Sequence, residues 1–311
     1  MSKNYIGQMG YTIYKDEITN ETAKYIENEL NVKPFVPKAM GMQKPISFPV
    51  YRESASRYYL PKFFGISNFG DVNCKLPKGE EINAKFNGTL RDYQTRIVSK
   101  YIDYVKKNGT NYGGGCLEIA TGMGKTVMGI DIISKMRLKT IILVHKEFLM
   151  NQWIERINEF MPDARVGKLQ GKVIDIEQKD IVIAMIQSLS MKEYNVDLFK
   201  CFGLMIIDEV HHMGAEVFSN SLCKVVTPYT LGLSATMERK DGLSKVFKMF
   251  LGETIHVEKR DTSEQSVLIK TLQYKVDDDE FNSIKYDFRG NPQYSSMITK
   301  LCNYNNRSEF I

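Results

Sequence analysis

From Leu90 onward, short apolar runs alternate with amphipathic stretches. The runs at 116–120, 141–144, 181–186, 204–207 and 231–233 read as strands. Each is nearly continuous in apolar residues rather than alternating, the pattern of strands covered on both faces. After the first run, Val127, Ile130 and Ile133 recur at a spacing that suits one helical face. Strand and helix in regular succession predict an α/β fold, a parallel sheet with helices on both faces. In such sheets ligands gather where strands end and loops begin, so function is expected on that edge.

The first 88 residues differ, being rich in aromatics and prolines such as Phe35, Pro37, Phe48, Pro49, Tyr51, Tyr58, Tyr59, Pro61, Phe63 and Phe64. Prolines break long helices. Residues 20–31 read as a helix and 47–70 as short strands and turns, making a small mixed α+β accessory domain over 1–88. Its basic residues Lys38, Lys44, Arg52, Arg57 and Lys62 interleave with aromatics. That mixture reads either as a nucleic-acid surface using phosphate contacts and stacking, or as aromatics filling the core of a small domain.

A length of 311 residues suggests about two domains, and 43% hydrophobic content is ample for a core. Neither a charged-then-apolar leader at Met1 nor an apolar stretch of about 18 residues is visible, so an intracellular protein with no membrane partner is expected. Cys74, Cys116, Cys201, Cys223 and Cys302 are scattered without a paired spacing, which points to reduced thiols rather than zinc or a redox centre. A net charge of +5 permits an anionic partner without demanding one.

Two segments carry the chemistry. Residues 119–126 read IATGMGKT, a glycine-rich turn between a strand and a helix. There the backbone N–H groups of Thr121, Gly122, Met123 and Gly124 can face phosphates, Lys125 adds a positive charge, and the Thr126 hydroxyl can ligate Mg²⁺. The strict phosphate-loop pattern has glycine where this chain has Ile119. Downstream, Asp208 and Glu209 follow the apolar run at 204–207 and precede His211 and His212. Asp208 is placed to hold the hydrated Mg²⁺ with Thr126, and Glu209 to orient or deprotonate an attacking water. ATP and Mg²⁺ are therefore the expected cofactors.

The order of these and further segments resembles superfamily 2 helicases and translocases, in particular the XPB-type, DEAH-like branch with its large-DNA-virus transcription helicases. The resemblance spans residues 90–241. It implies a RecA-like motor lobe over 89–275 and makes Gln94, in Leu90-Arg91-Asp92-Tyr93-Gln94, the adenine reader, since a side-chain amide offers both a donor and an acceptor. It implies nucleic-acid contacts at His145 and Lys146, at Gln170 and Gly171, and at Gln187 and Ser188. It makes Ser234 and Thr236 the residues that couple nucleotide state to nucleic-acid contacts, with His211 bridging to one of them. Trp153 reads either as a stacking platform or as core, Gly171-Lys172 either as part of the track or as an ordinary turn. The charged stretch 237–242 either approaches DNA or is a solvated loop.

Residues 276–311 resemble a linker and the opening helix of a second motor lobe, with a helical run from Tyr294. No arginine-bearing final helicase motif follows, so the chain is expected to end inside the second lobe and, alone, to turn over ATP weakly or not at all. The resemblance implies an ATP-driven motor on duplex or single-stranded DNA, with transcription machinery as a partner. If the protein is viral, it implies a location in the host-cell cytoplasm or the virion. The alternatives are the motor subunit of a restriction or repair nuclease, and a non-catalytic nucleic-acid-binding scaffold. Oligomeric state is not readable from the sequence.

Overall fold

The computed structural model describes residues 3–33, 47–107, 109–209, 215–238, 244–260, 273–288 and 290–310. The chain divides into two compact units, 1–260 and 261–311.

The first unit opens with β1 (Tyr5–Gly7), β2 (Gly10–Tyr14), α1 (Asn20–Leu30), β3 (Asn31–Val32), β4 (Phe48–Pro49), β5 (Arg52–Glu53), β6 (Arg57–Leu60), α2 (Lys62–Phe69) and β7 (Asn73–Cys74). Strands β5-β6-β2-β1-β7 form one mixed sheet and β3-β4 a separate pair. Helix α1 begins where the Thr19 hydroxyl accepts the Thr22 N–H at 3.2 Å, and it buries Ile26 and Leu30.

The stretch expected as strands and turns over 47–70 is extended only to Leu60, after which α2 forms. Pro61 caps the start of α2 with φ −52°, where its missing N–H costs nothing. Gly65 lets the helix lie on Tyr11, whose ring a Cβ would meet at 2.1 Å, and Gly70 at φ +84° ends it. Alternation alone could not distinguish this short aromatic helix from a strand.

The expected basic surface is also corrected in part. Lys62 is buried, its ammonium donating to the Thr227 and Pro228 carbonyls at 3.0 and 2.8 Å, so it is no surface contact. Tyr58 is core, and the Arg57 guanidinium lies over the Tyr14 ring at 4.7 Å. Phe35, Pro37, Lys38 and Lys44 lie outside the described residues.

The larger part of the unit comprises α3 (Asp92–Lys106), β8 (Gly113–Ile119), α4 (Lys125–Met136), β9 (Thr140–Val144), α5 (Glu147–Phe160), β10 (Val166–Gln170), β11 (Val173–Ile174), β12 (Ile181–Met185), α6 (Ile186–Met191), β13 (Leu204–Asp208), α7 (Ala215–Leu222), β14 (Tyr229–Ser234), α8 (Ser244–Leu251) and β15 (Thr254–Glu258). Eight strands run in the order β11-β10-β12-β9-β13-β14-β8-β15. Every neighbouring pair is parallel except the β10–β11 hairpin. This is the RecA-like α/β sheet. Strand β8 starts at Gly113, three residues before the apolar run does. At Gly114 a Cβ would sit 2.0 Å from the Thr230 hydroxyl and 2.6 Å from the Leu251 carbonyl, so the close approach of backbones requires glycine there.

Successive residues of the central strands enter opposite cores. Ile141, Leu143, Val182, Ala184, Met205 and Ile207 pack into one, together with residues of α1, α2, α7 and α8. Ile142, Val144, Ile181, Ile183, Leu204 and Ile206 pack into the other, with residues of α3, α4 and α5. Burial on both faces explains the continuous apolar runs. The apolar residues of the amino-terminal sheet, including Ile6, Tyr11 and Ile13, belong to the first of these cores.

The second unit contains α9 (Asp279–Asn282), α10 (Tyr294–Asn303) and α11 (Asn305–Phe310). Tyr274, Phe281, Tyr304 and Phe310 form an aromatic cluster with centroid separations of 4.8 to 6.4 Å. All five cysteines are free, and among the described residues no helix is long and apolar enough to cross a membrane.

Candidate functional site

Strand β8 delivers the chain into the glycine loop, and α4 takes it out. Gly122 and Gly124 have φ of +83° and +84°, a left-handed conformation that residues with a Cβ adopt at a cost. A Cβ on Gly122 would meet nothing within 4 Å, so the loop opens onto free space there. Gly124 is the N-cap of α4 and supplies no side-chain cap. The first-turn N–H groups of α4, with the positive end of its dipole, suit an anion. The Ala120 N–H, at the start of the loop, donates to the Glu258 carbonyl of β15 at 3.0 Å. Thr121 and Gly122 are exposed, and Met123, Gly124 and Thr126 are half-buried.

Lys125 is only 8% exposed. Its ammonium lies 3.3 Å from Glu209 Oε1 and donates to the Ile119 carbonyl at 3.4 Å. Asp208 ends β13, level with Leu233 of β14, and is itself buried. Its Oδ1 accepts the Glu209 N–H at 3.0 Å and its Oδ2 the Trp153 indole N–H at 2.8 Å. Burial pushes the Asp208 carboxyl up to about 6. The Trp153 hydrogen bond opposes that rise, the Glu209 charge adds to it and Lys125 counters it. Glu209 sits at φ +52°, a left-handed conformation for a residue with a side chain. Strain of that kind persists only where surrounding structure enforces it. Open glycine turns, uncapped helix donors, a poised ammonium and two adjacent carboxylates fit a magnesium nucleotide. Thr126 and Asp208 are the groups suited to the metal.

Gln94 is buried, and its amide is engaged at both ends. Oε1 accepts the Arg91 N–H at 3.0 Å, half of a capping box at the start of α3, and Nε2 donates to the Met123 carbonyl at 3.0 Å. The Tyr93 hydroxyl donates to the same carbonyl, also at 3.0 Å. Gln94 therefore braces the glycine loop. Each end of the amide retains one further hydrogen-bonding position.

Ser234 ends β14 opposite Glu118 of β8, and its hydroxyl donates to the Thr236 carbonyl at 2.6 Å. The Thr236 hydroxyl accepts the Glu238 N–H at 3.1 Å. The Glu118 carboxylate accepts the Met237 N–H at 3.2 Å, tying the loop-bearing strand to the segment after Ser234. His211, expected to bridge here, lies outside the described residues, as do His212 and residues 239–242.

The six expected nucleic-acid residues come together at the carboxyl ends of the adjacent strands β10, β12 and β9. The Gln187 amide donates to the His145 carbonyl at 3.0 Å, and the Ser188 hydroxyl accepts the Gly171 N–H at 2.9 Å. Lys192 donates to the Gly171 carbonyl. Lys146, Gly171 and Gln187 are exposed, while His145, Gln170 and Ser188 are half-buried. Gly171, at φ +56°, makes the tight turn between β10 and β11. Its turn role and its place beside Ser188 therefore coexist.

Trp153 is core, with no exposure, and so not a stacking platform. Its bond to Asp208 was invisible in the sequence, because nothing local relates position 153 to 208. Tyr93 and Glu118 were likewise missed as braces of the loop and its strand. The one signal was that Tyr93 stands beside Gln94.

A parallel sheet carrying a glycine loop after β8 and an acidic pair at the end of β13 defines the motor lobe of a nucleoside-triphosphate-dependent enzyme. Through this lobe the chain is similar to the superfamily 2 helicases: residues 87–239 match the family model described as type III restriction enzyme, res subunit. A protein of Acanthamoeba polyphaga mimivirus, provisionally named an ATP-dependent RNA helicase, is 35% identical over 99% of this chain and 60% of its own length. The DNA 3'-5' translocase XPB2 of Sulfurisphaera tokodaii is 32% identical over 54% of this chain and 35% of its own. The chain thus spans about three-fifths of the mimivirus relative. The crystal structure of the UvsW helicase from bacteriophage T4 superposes with a TM-score of 0.52, at 16% identity, over 76% of this chain and 94% of that one, and shares the fold.

Proposed function

We propose that this chain supplies the first lobe of an ATP-dependent DNA motor that moves along duplex or single-stranded DNA, acting in viral transcription. The observation that carries the proposal is the convergence of Lys125, Asp208 and Glu209 beside the open glycine loop, on the sheet edge that also bears the linked group His145, Gly171, Gln187 and Ser188. Lys125 and the α4 N–H groups take the phosphates, and Gln94 takes the adenine edge. Asp208 and Thr126 hold Mg²⁺, which when bound neutralises charge on the phosphate oxygens. Glu209 orients the attacking water and accepts its proton. Ser234 and Thr236 link the end of β14 to the nucleic-acid edge. The name of the archaeal relative supports DNA, that of the mimivirus relative RNA.

ATP turnover by this chain, measured with no nucleic acid, with duplex DNA and with RNA, tests the proposal against Glu209→Gln as blank. Stimulation by DNA supports it, and stimulation by RNA alone overturns the substrate. Absence of Mg²⁺-nucleotide binding overturns the motor itself. The description of the matched family also favours a second reading, the motor of a restriction enzyme. ATP-dependent DNA cleavage by the complete protein would establish that one instead.

A further inference from the structure

The chain has a single tryptophan, Trp153, two turns into α5. It has no exposure, yet its one polar atom does not face backbone: the indole N–H donates to Asp208 Oδ2 at 2.8 Å. The opposite oxygen, Oδ1, accepts the Glu209 N–H at 3.0 Å. The carboxylate is therefore held by one donor on each oxygen, which fixes its rotation and leaves each oxygen one free lone pair.

The indole is itself held. Gly129 of α4, the helix that follows the glycine loop, offers it a flat surface: a Cβ there would come within 2.8 Å of the ring carbon Cη2. Leu233 of β14 closes on the same glycine position, at 3.2 Å. Any side chain at 129 would push the indole off its place, so the glycine and the tryptophan form a matched pair. Trp153 thus links two elements of the nucleotide site, α4 and β13, to α5, the helix that starts beside His145 and Lys146.

We propose that Trp153 is a positioning residue for the metal site, its indole N–H holding Asp208 in the orientation in which it receives a hydrated divalent cation. The proposal rests on the nucleotide-site reading above. Metal-ligating carboxylates need such outer partners, and losing one typically costs tenfold or more in metal affinity. Packing alone would predict something else, because a filler of equal shape would serve as well as indole.

Because Trp153 is the only tryptophan, growth of a tryptophan auxotroph on benzothienylalanine replaces this residue and no other, substituting sulfur for the N–H in a ring of nearly the same shape. Trp153→Phe is the encoded companion variant. Calorimetry with AMP-PNP, without metal and across a Mg²⁺ titration, reads the two contributions apart. The expected result is a roughly tenfold rise in the Mg²⁺ concentration needed for half-maximal enhancement of binding, with metal-free binding unchanged in the benzothienyl protein. An unchanged Mg²⁺ requirement in that protein overturns the positioning role. So does an equal loss of metal-free and metal-dependent binding, which would make Trp153 a core residue only. If the natural protein shows no Mg²⁺-dependent binding, the nucleotide-site reading itself fails, and the inference with it.

Discussion

Lys125 Nζ lies 3.3 Å from Glu209 Oε1, so the cation proposed for phosphate is neutralised, before nucleotide arrives, by the carboxylate proposed for water. Incoming phosphate must take the ammonium from its partner. Glu209→Gln therefore tightens metal-free nucleotide binding by roughly fivefold, the equivalent of about 1 kcal/mol for a partly exposed pair, while it abolishes hydrolysis. Lys125→Ala weakens nucleotide binding. Calorimetry on both variants checks this, and weaker binding by Glu209→Gln would show that the pair assists the site rather than competes with phosphate.

The two loop glycines differ in a way that mutation can read. Both have positive φ, which costs a residue with a Cβ about 1–2 kcal/mol. Only at Gly124 would the new Cβ also strike a neighbour, the Gln94 amide nitrogen at 2.4 Å. Gly124→Ala is expected to lose more stability and more nucleotide affinity than Gly122→Ala, by urea denaturation and by titration respectively. Equal effects would mean that the Gln94 brace yields without cost.

Lys146 is exposed at the edge where the linked strand ends meet. If it touches a phosphate, Lys146→Ala should weaken DNA binding uniformly across sequences and reduce the slope of log affinity against log salt by about 1. Binding measured by anisotropy at several salt concentrations decides it; an unchanged slope removes Lys146 from the track.

Lys62 makes stability depend on pH. Burial pushes its ammonium down to about 7 from 10.5. Below pH 7 both folded and unfolded chains hold the proton, and the cost of burying the charge is fully present. Between 7 and 10.5 the unfolded chain alone is protonated, so stability rises with pH in that window. The slope approaches an order of 1 kcal/mol per pH unit. Lys62→Met abolishes this rise, and it leaves the Thr227 and Pro228 carbonyls without their donor. The urea-derived stability of wild type minus that of the variant should thus rise from pH 7 to 10. A constant difference would show that Lys62 stays charged in the fold.

Much of the lobe could be read along the chain because its rules are local. Strands buried on both faces must be apolar throughout, so 141–144, 181–186 and 204–207 were legible as strands, although Ile186 in fact opens α6. A phosphate loop needs its glycines, lysine and threonine in fixed succession. Where local rules compete, the reading failed. Phe63, Phe64 and Ile66 suit a strand as well as a helix, and only Pro61 and contact with Tyr11 select α2. Gly113 to Gly115 carry no strand signal of their own, and only the tertiary structure crowds them, Val105 at Gly113, Thr230 with Leu251 at Gly114, and Ile255 at Gly115.

The sequence by itself determined the order of the elements, the layered class of the fold and the residue types of a nucleotide loop and acidic strand end, since these follow from periodicity and short-range spacing. Tertiary structure decided which distant groups meet. Trp153 faces Asp208 because α5 packs on α4 and on β9, the strand next to β13, and Lys125 pairs with Glu209 because β8 and β13 flank β14 in the sheet. Gly171 reaches Ser188 because β10 and β12 are neighbours. Such pairings depend on strand order, and no spacing in a linear chain encodes strand order. The same physics buried Lys62, which by composition alone belonged on the surface.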